Sequence, residues 1–237
     1  YIRQCLNAFV NQDNVVQLIS AEYTGPLHFV QFWIDEISAW EKETGKKSLI
    51  ALSATKDVQD AILADSVRSS VVDIIDIRYW HYKDDGELYA PEGGKSMAPR
   101  QHARKMKVGK TSFSDVYKSV SEYREKYPDK AVFYYSQKYP ELAWAIFMAG
   151  GSLPGITNIS DSSLLTDALY MHPVKDNLTK YYQLGKTGIG HILYLTTPSE
   201  NISGNIEPGK YQVSSIDEKT GIVSVLKKKV VVRGDFK

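Results

Sequence analysis

A single cysteine, Cys5, stands among 237 residues, so neither an internal disulfide nor a multi-cysteine metal site can form. Its apolar helical neighbours point to a buried, inert thiol. No apolar run approaches the roughly 20 residues needed to span a bilayer, and no signal peptide opens the chain. Excess charge is missing as well. With 29 basic against 28 acidic residues the formal net charge is +1, which gives no electrostatic reason to expect nucleic acid or an anionic membrane. The Lys-rich stretches read as solvated faces. His81 and His102 have no histidine or cysteine partner at ligand spacing, so no metal is expected. Gly185, Gly188 and Gly190 precede a strand instead of a helix and match no phosphate-binding fingerprint, so no cofactor is expected either.

What is present is an alternation. Val15-Val16-Gln17-Leu18-Ile19 is an apolar β-type run that leads through Glu22 into Gly25-Pro26. Leu27, Val30, Ile34, Ile37 and Trp40 then mark an amphipathic crossover helix ended by Thr44-Gly45. The same unit recurs at Leu49–Leu52 followed by Val58–Leu63, and at Val71–Ile77 followed, after a long polar segment over 83–112, by a helix through Phe113, Val116 and Val120. Ala131–Tyr135 is a fourth strand, and Leu153–Ile156 is a candidate fifth. Successive strand-helix units predict a parallel sheet, in which polar groups at the carboxyl ends of strands are the natural site candidates. Beyond about residue 185 the pattern changes to strands separated by Pro-Gly and Lys-Thr-Gly turns, which predicts a small antiparallel β domain. The expected division is 1–184 and 185–237. Tyr1–Val10 has the pattern of a helix already under way, so the chain is expected to begin within a domain.

Four segments in order carry a family resemblance: Glu22-Tyr23-Thr24-Gly25-Pro26; Ser53-Ala54-Thr55-Lys56-Asp57-Val58-Gln59-Asp60; Ile75-Asp76-Ile77-Arg78-Tyr79-Trp80-His81-Tyr82; and Ala98-Pro99-Arg100-Gln101-His102. Over about its whole length the chain resembles the second half of secreted, Bacteroidetes-type glycoside hydrolase barrels. These are related to the apiosidase-like group and, more distantly, to the large retaining clan. The resemblance implies strands four to eight of a (β/α)8 TIM barrel followed by the β domain. The first half of the barrel would then come from upstream sequence or a separate chain. It also implies a carbohydrate substrate, and a secreted, periplasmic or outer-surface location. Glu22 takes the place of the clan's acid/base carboxylate at the end of strand four.

Glycoside hydrolysis needs two carboxyl groups, one to protonate the leaving oxygen and one to attack or to activate water. The clan's nucleophile position is empty of acids here, since Ala131–Gln137 contains none. The second carboxylate therefore stays open among Asp57, Asp60, Asp76, Glu141 and an acid from the absent half of the barrel. Lys56, Arg78, Tyr79, Trp80, His81, Tyr82, Arg100, His102 and Tyr135 are candidate substrate contacts, because sugar faces stack on aromatic rings while hydroxyls take polar partners. Arg100 in its Pro-flanked loop is suited to clamp a uronate carboxylate. Structural roles compete with these: Asp57 as a helix cap, Lys56 in an ion pair, and Asp73 or Asp76 as a partner of arginine. A non-catalytic carbohydrate-binding barrel that has lost an acid is the alternative function.

Overall fold

The computed structural model describes residues 1–21, 25–95, 99–135, 140–174, 181–197 and 206–233, and only the backbone of Pro99, His102 and Pro140. The chain forms two units. One comprises Tyr1–Lys138 with Gly151–Leu153, and the other comprises Tyr139–Gly150 with Pro154–Lys237.

The first unit holds a parallel sheet of β1 (Val16–Ile19), β2 (Leu49–Leu52), β3 (Ile74–Ile77) and β6 (Ala131–Tyr134), in that spatial order. Between β1 and β2 runs α2 (Leu27–Thr44), which buries Val30, Ile34, Ile37 and Trp40 at helical spacing. It stops where Gly45 turns left-handed at φ 67° and its N–H returns to Glu41 O, the ending that glycine permits most readily. The connection from β2 to β3 contains α3 (Lys56–Ala64) and α4 (Ser66–Ser69). The connection from β3 to β6 contains the short hairpin β4 (His81–Tyr82) and β5 (Leu88–Tyr89), then α5 (Pro99–Lys105) and α6 (Phe113–Lys126). Ser112 and Asp115 form a reciprocal capping box at the start of α6, which satisfies two otherwise orphaned amides. Ahead of β1 lies α1 (Ile2–Phe9).

Strand register sorts the sheet into two faces. Ile50, Leu52, Ile75, Ile77 and Val132 share one face and are at most 1% exposed. The register Val16↔Leu49, Leu18↔Ala51, Ala51↔Ile74 and Asp76↔Phe133 places these residues on the other. There Val16 and Leu18 are each 39% exposed, and Asp76 is the only acidic or basic side chain of the four strands. At the amino ends of β3 and β6, buried Lys130 donates through Nζ to Ser69 O at 2.8 Å and Val72 O at 2.7 Å.

The second unit contains a 3-10 turn (Pro140–Leu142), α7 (Ala143–Met148) and α8 (Ser162–Ala168). Its strands are β7 (His172–Val174), β8 (Tyr181–Lys186) and β9 (Gly190–Leu195), joined antiparallel, and the separate hairpin β10 (Gly209–Ile216) and β11 (Val223–Val232). Within it Trp144 stacks on Tyr194, and Gly221 fits because an added Cβ would lie 2.0 Å from Asn158 O.

The expectation of a (β/α)8 barrel portion is overturned. Four parallel strands form an open sheet, whereas closure needs eight. The segment expected as a fifth strand is irregular, with Leu153 at φ 50°, and Ser152 N donates to Val132 O on the outer side of β6. Every later strand among the described residues pairs antiparallel. No helix among them is long and apolar enough to cross a membrane.

Candidate functional site

The carboxyl edge of the parallel sheet gathers a cluster of polar side chains from several strands. Asp76, the penultimate residue of β3, is almost fully buried, and its Oδ2 accepts hydrogen bonds from Ser53 Oγ at 2.6 Å and Arg78 Nε at 2.9 Å. Ser53 follows Ala51 by two residues and Arg78 follows Asp76 by two, so strand alternation delivers all three to the same face. The Arg78 guanidinium carbon lies 4.7 Å from the centre of the Tyr135 ring, a cation–π contact at the end of β6. Three of the four strands thus converge on one cluster.

The first strand adds a strained and unsatisfied group. Ser20, directly after β1, has φ 66°, a conformation a non-glycine residue holds only when its surroundings impose it. Its Oγ is buried without a hydrogen-bond partner, as is Thr55 Oγ1 after β2. Thr55 occupies the N-cap position of α3 yet its side chain caps nothing. Buried hydroxyls seldom go unpaired, and both of these lie at the carboxyl ends of strands.

A second network braces this edge. Lys56 Nζ reaches Asp60 at 3.1 Å and Glu122 at 2.8 Å. It also lies 4.4 Å from the Trp80 ring centre and 5.0 Å from that of Tyr123. Tyr82 donates to Glu122 at 2.7 Å, Tyr123 donates to Asp60 at 2.6 Å, and Trp80 Nε1 donates to Gln59 Oε1. Gln59 Nε2 in turn donates to the carbonyls of Leu52 and Asp76. Burial works against the Lys56 charge, but the Glu122 and Asp60 carboxylates outweigh it and hold the ammonium above its ordinary pKa. Burial, reinforced by Glu122, raises Tyr82, and burial with Asp60 raises Tyr123. This network ties α3, α6 and β4 together and fixes the segment that carries Arg78.

A loop is pinned across the same edge. Gly93 N donates to Asp57 Oδ2 at 3.0 Å and Oδ1 at 3.2 Å, so Asp57 anchors this loop instead of capping α3. A Cβ on Gly93 would meet Val58 Cγ2 at 2.5 Å and Thr55 Oγ1 at 2.8 Å, and one on Gly94 would meet Pro26 at 3.2 Å. Further along, Val108 O lies 2.9 Å from His81 Nε2, and Lys110 O accepts from Asp84 N.

The structure therefore brings together Arg78 and Tyr135 with Asp76, and separately Lys56, Trp80 and Tyr82. Tyr79 is buried, and His81 packs on Tyr89 while reaching Val108. Arg100 is exposed on α5. Glu141 is exposed on the 3-10 turn of the other unit. Glu22 and the side chain of His102 lie outside the described residues. Ser53, Ser20 and Thr55 escaped notice as candidates because small hydroxyl residues carry no spacing signal; only their burial at strand ends reveals them. Among the described residues no group of three or more His, Cys, Asp or Glu side chains could hold a metal ion.

Comparison with curated proteins and with solved structures gives no match. Residues 1–171 match a family described as a domain of unknown function (DUF6298). That span takes in the parallel sheet and every residue at its carboxyl edge, and the chain belongs to this family.

Proposed function

We propose that the chain is a carbohydrate-active domain, a glycoside hydrolase that engages sugar at the carboxyl edge of its parallel sheet. The observation that carries this is the Asp76–Ser53–Arg78 cluster beside Tyr135: a buried carboxylate, a hydroxyl, a guanidinium and an aromatic ring converge where loops after parallel strands form sites. Ser20 and Thr55 add two buried hydroxyls with unused hydrogen-bonding capacity, the complement that a polyhydroxylated ligand supplies. In this reading Glu22 is the proton donor and Asp76 the second carboxylate. Asp57 and Asp60 lie outside that cluster, tied to Gly93 and to Lys56 and Tyr123.

The non-catalytic alternative is favoured by one observation: Oδ2 of Asp76 is already engaged twice, by Ser53 and Arg78. Reducing-sugar release from a panel of plant and host polysaccharides, run beside titration calorimetry, separates the two. Sugar release that is abolished in Glu22→Gln, with binding retained, supports hydrolysis. Binding without release supports the alternative, and a panel that neither binds nor is cleaved rejects both.

A further inference from the structure

We infer that the ligand of this edge is an acidic glycan, one bearing an oxyanion on its sugar rings as a carboxylate or a sulfate ester, and that Arg78 and the cationic loop between Gly93 and Lys110 read that charge. The inference rests on the carbohydrate reading above and narrows it. Two separate features of the molecule support it.

The first is the direction of the Arg78–Asp76 ion pair. The Asp76 side chain is 4% exposed and the Arg78 side chain 29%, so the negative end is turned inward and the positive end meets solvent. Only Nε of Arg78 is used by Asp76, and the Tyr135 ring 4.7 Å from the guanidinium carbon restrains the plane. A guanidinium held this way keeps its two Nη groups for a planar or tetrahedral oxyanion, the geometry that arginine matches best.

The second is charge placement. Six of the chain's 29 basic residues and none of its 28 acidic ones fall between Gly93 and Ser114: Lys95, Arg100, Arg104, Lys105, Lys107 and Lys110. All six are exposed. Lys95 pairs with Glu92 at 2.8 Å, and among the described residues the other five form no ion pair. Near its two ends the segment is held by Gly93 on Asp57, at the start of α3, and by Val108 on His81, in the β4–β5 hairpin. A near-neutral chain thus concentrates cations on a segment whose described ends are tied to Asp57, just after β2, and to His81, three residues past Arg78. Such a local field raises the concentration of polyanions at the site irrespective of net charge.

The test compares binding of polygalacturonate, its fully methyl-esterified form, a sulfated glycosaminoglycan and a single-stranded oligodeoxythymidylate at two salt concentrations. The proteins are the full chain, Arg78→Gln, and the surface triple variant Arg104→Ala/Lys105→Ala/Lys107→Ala. Expected is binding of an acidic glycan roughly 10- to 100-fold tighter than of the neutral ester, the step set by one or two charge-assisted hydrogen bonds. That preference collapses in Arg78→Gln and weakens, with a shallower salt dependence, in the triple variant. The triple variant changes only exposed side chains, so it reports even where Arg78→Gln disturbs the fold. A preference for the polyuronate or for the sulfated glycan identifies which oxyanion is read. Equal affinity for acid and ester overturns the inference and leaves the carbohydrate reading standing. Tighter binding of the oligonucleotide than of either acidic glycan overturns it in favour of nucleic acid. Binding to no carbohydrate, acidic or neutral, removes both.

Discussion

Asp76 and Arg78 stand two residues apart on one strand and its extension, paired through Oδ2 and Nε at 2.9 Å with the acid inside and the base outside. Because the acid is buried, its removal strands the partner more than its own charge would suggest. Asp76→Asn should destabilise the first unit by about 2–3 kcal/mol, since one member of a buried pair is lost while a polar isostere keeps part of the hydrogen bonding. Urea denaturation checks this, and an unchanged midpoint would show that the pair contributes nothing to folding.

Lys56 is enclosed by Trp80, Tyr123, Asp60 and Glu122. Lys56→Met should cost about 2–4 kcal/mol, because two carboxylates then face each other without their cation. Adding Glu122→Gln to that variant should recover part of the loss, giving a non-additive cycle. Additive effects in thermal or urea unfolding would show that the contacts act independently.

Gly93 has room for no side chain, and the atoms it would strike belong to short, hemmed-in Val58 and Thr55. Gly93→Ala should destabilise by about 1–3 kcal/mol through overpacking and loosen the loop from Asp57. Gly94 is different, since its φ of 75° makes the penalty conformational as well as steric. A crystal structure of Gly93→Ala with the Asp57 contact intact and stability unchanged would contradict this.

Burial raises the Glu122 carboxyl, but the Lys56 ammonium and Tyr82 hydroxyl more than compensate and hold it below the ordinary 4.5. A carboxylate with a depressed folded pKa contributes stability that is complete above 4.5 and is lost as pH falls through the lower folded value. Lys56, raised above 10.5, contributes up to that value and loses its share as pH rises through the higher one. Melting temperature against pH should therefore show an acid limb that is shallower in Glu122→Gln. Parallel curves for the two proteins would dismiss the linkage.

Much of the scaffold was legible in the residues themselves. Apolar spacing with Gly45 located α2, the spacing of Phe113, Val116 and Val120 located α6, and apolar runs located the four parallel strands, because each is a local signal. Closure is not local, and regular strand-helix alternation said nothing about how many strands would follow β6. The barrel expectation failed because it carried parallel pairing past β6, where the chain at Leu153 is irregular and the following strands pair antiparallel. At the site, Arg78 was identifiable from its position after a strand and Tyr135 from its place at the end of one. Lys56, Trp80 and Tyr82 were read from the same positions, yet they face one another as a brace. Asp57 looked like a helix cap because the partner it binds, Gly93, lies 36 residues away. The basic run was visible but read as a solvated face, since its two anchors on the sheet edge involve backbone atoms that no residue pattern announces.

Those anchors have an evolutionary corollary. The strap between Gly93 and Val108 is held by a main-chain amide at one end and a main-chain carbonyl at the other, so neither anchor depends on a basic side chain. Mutation can exchange lysines and arginines there for neutral or acidic residues while the frame beneath stays as it is. A reversal of charge along this segment is thereby open to substitution without loss of either anchor.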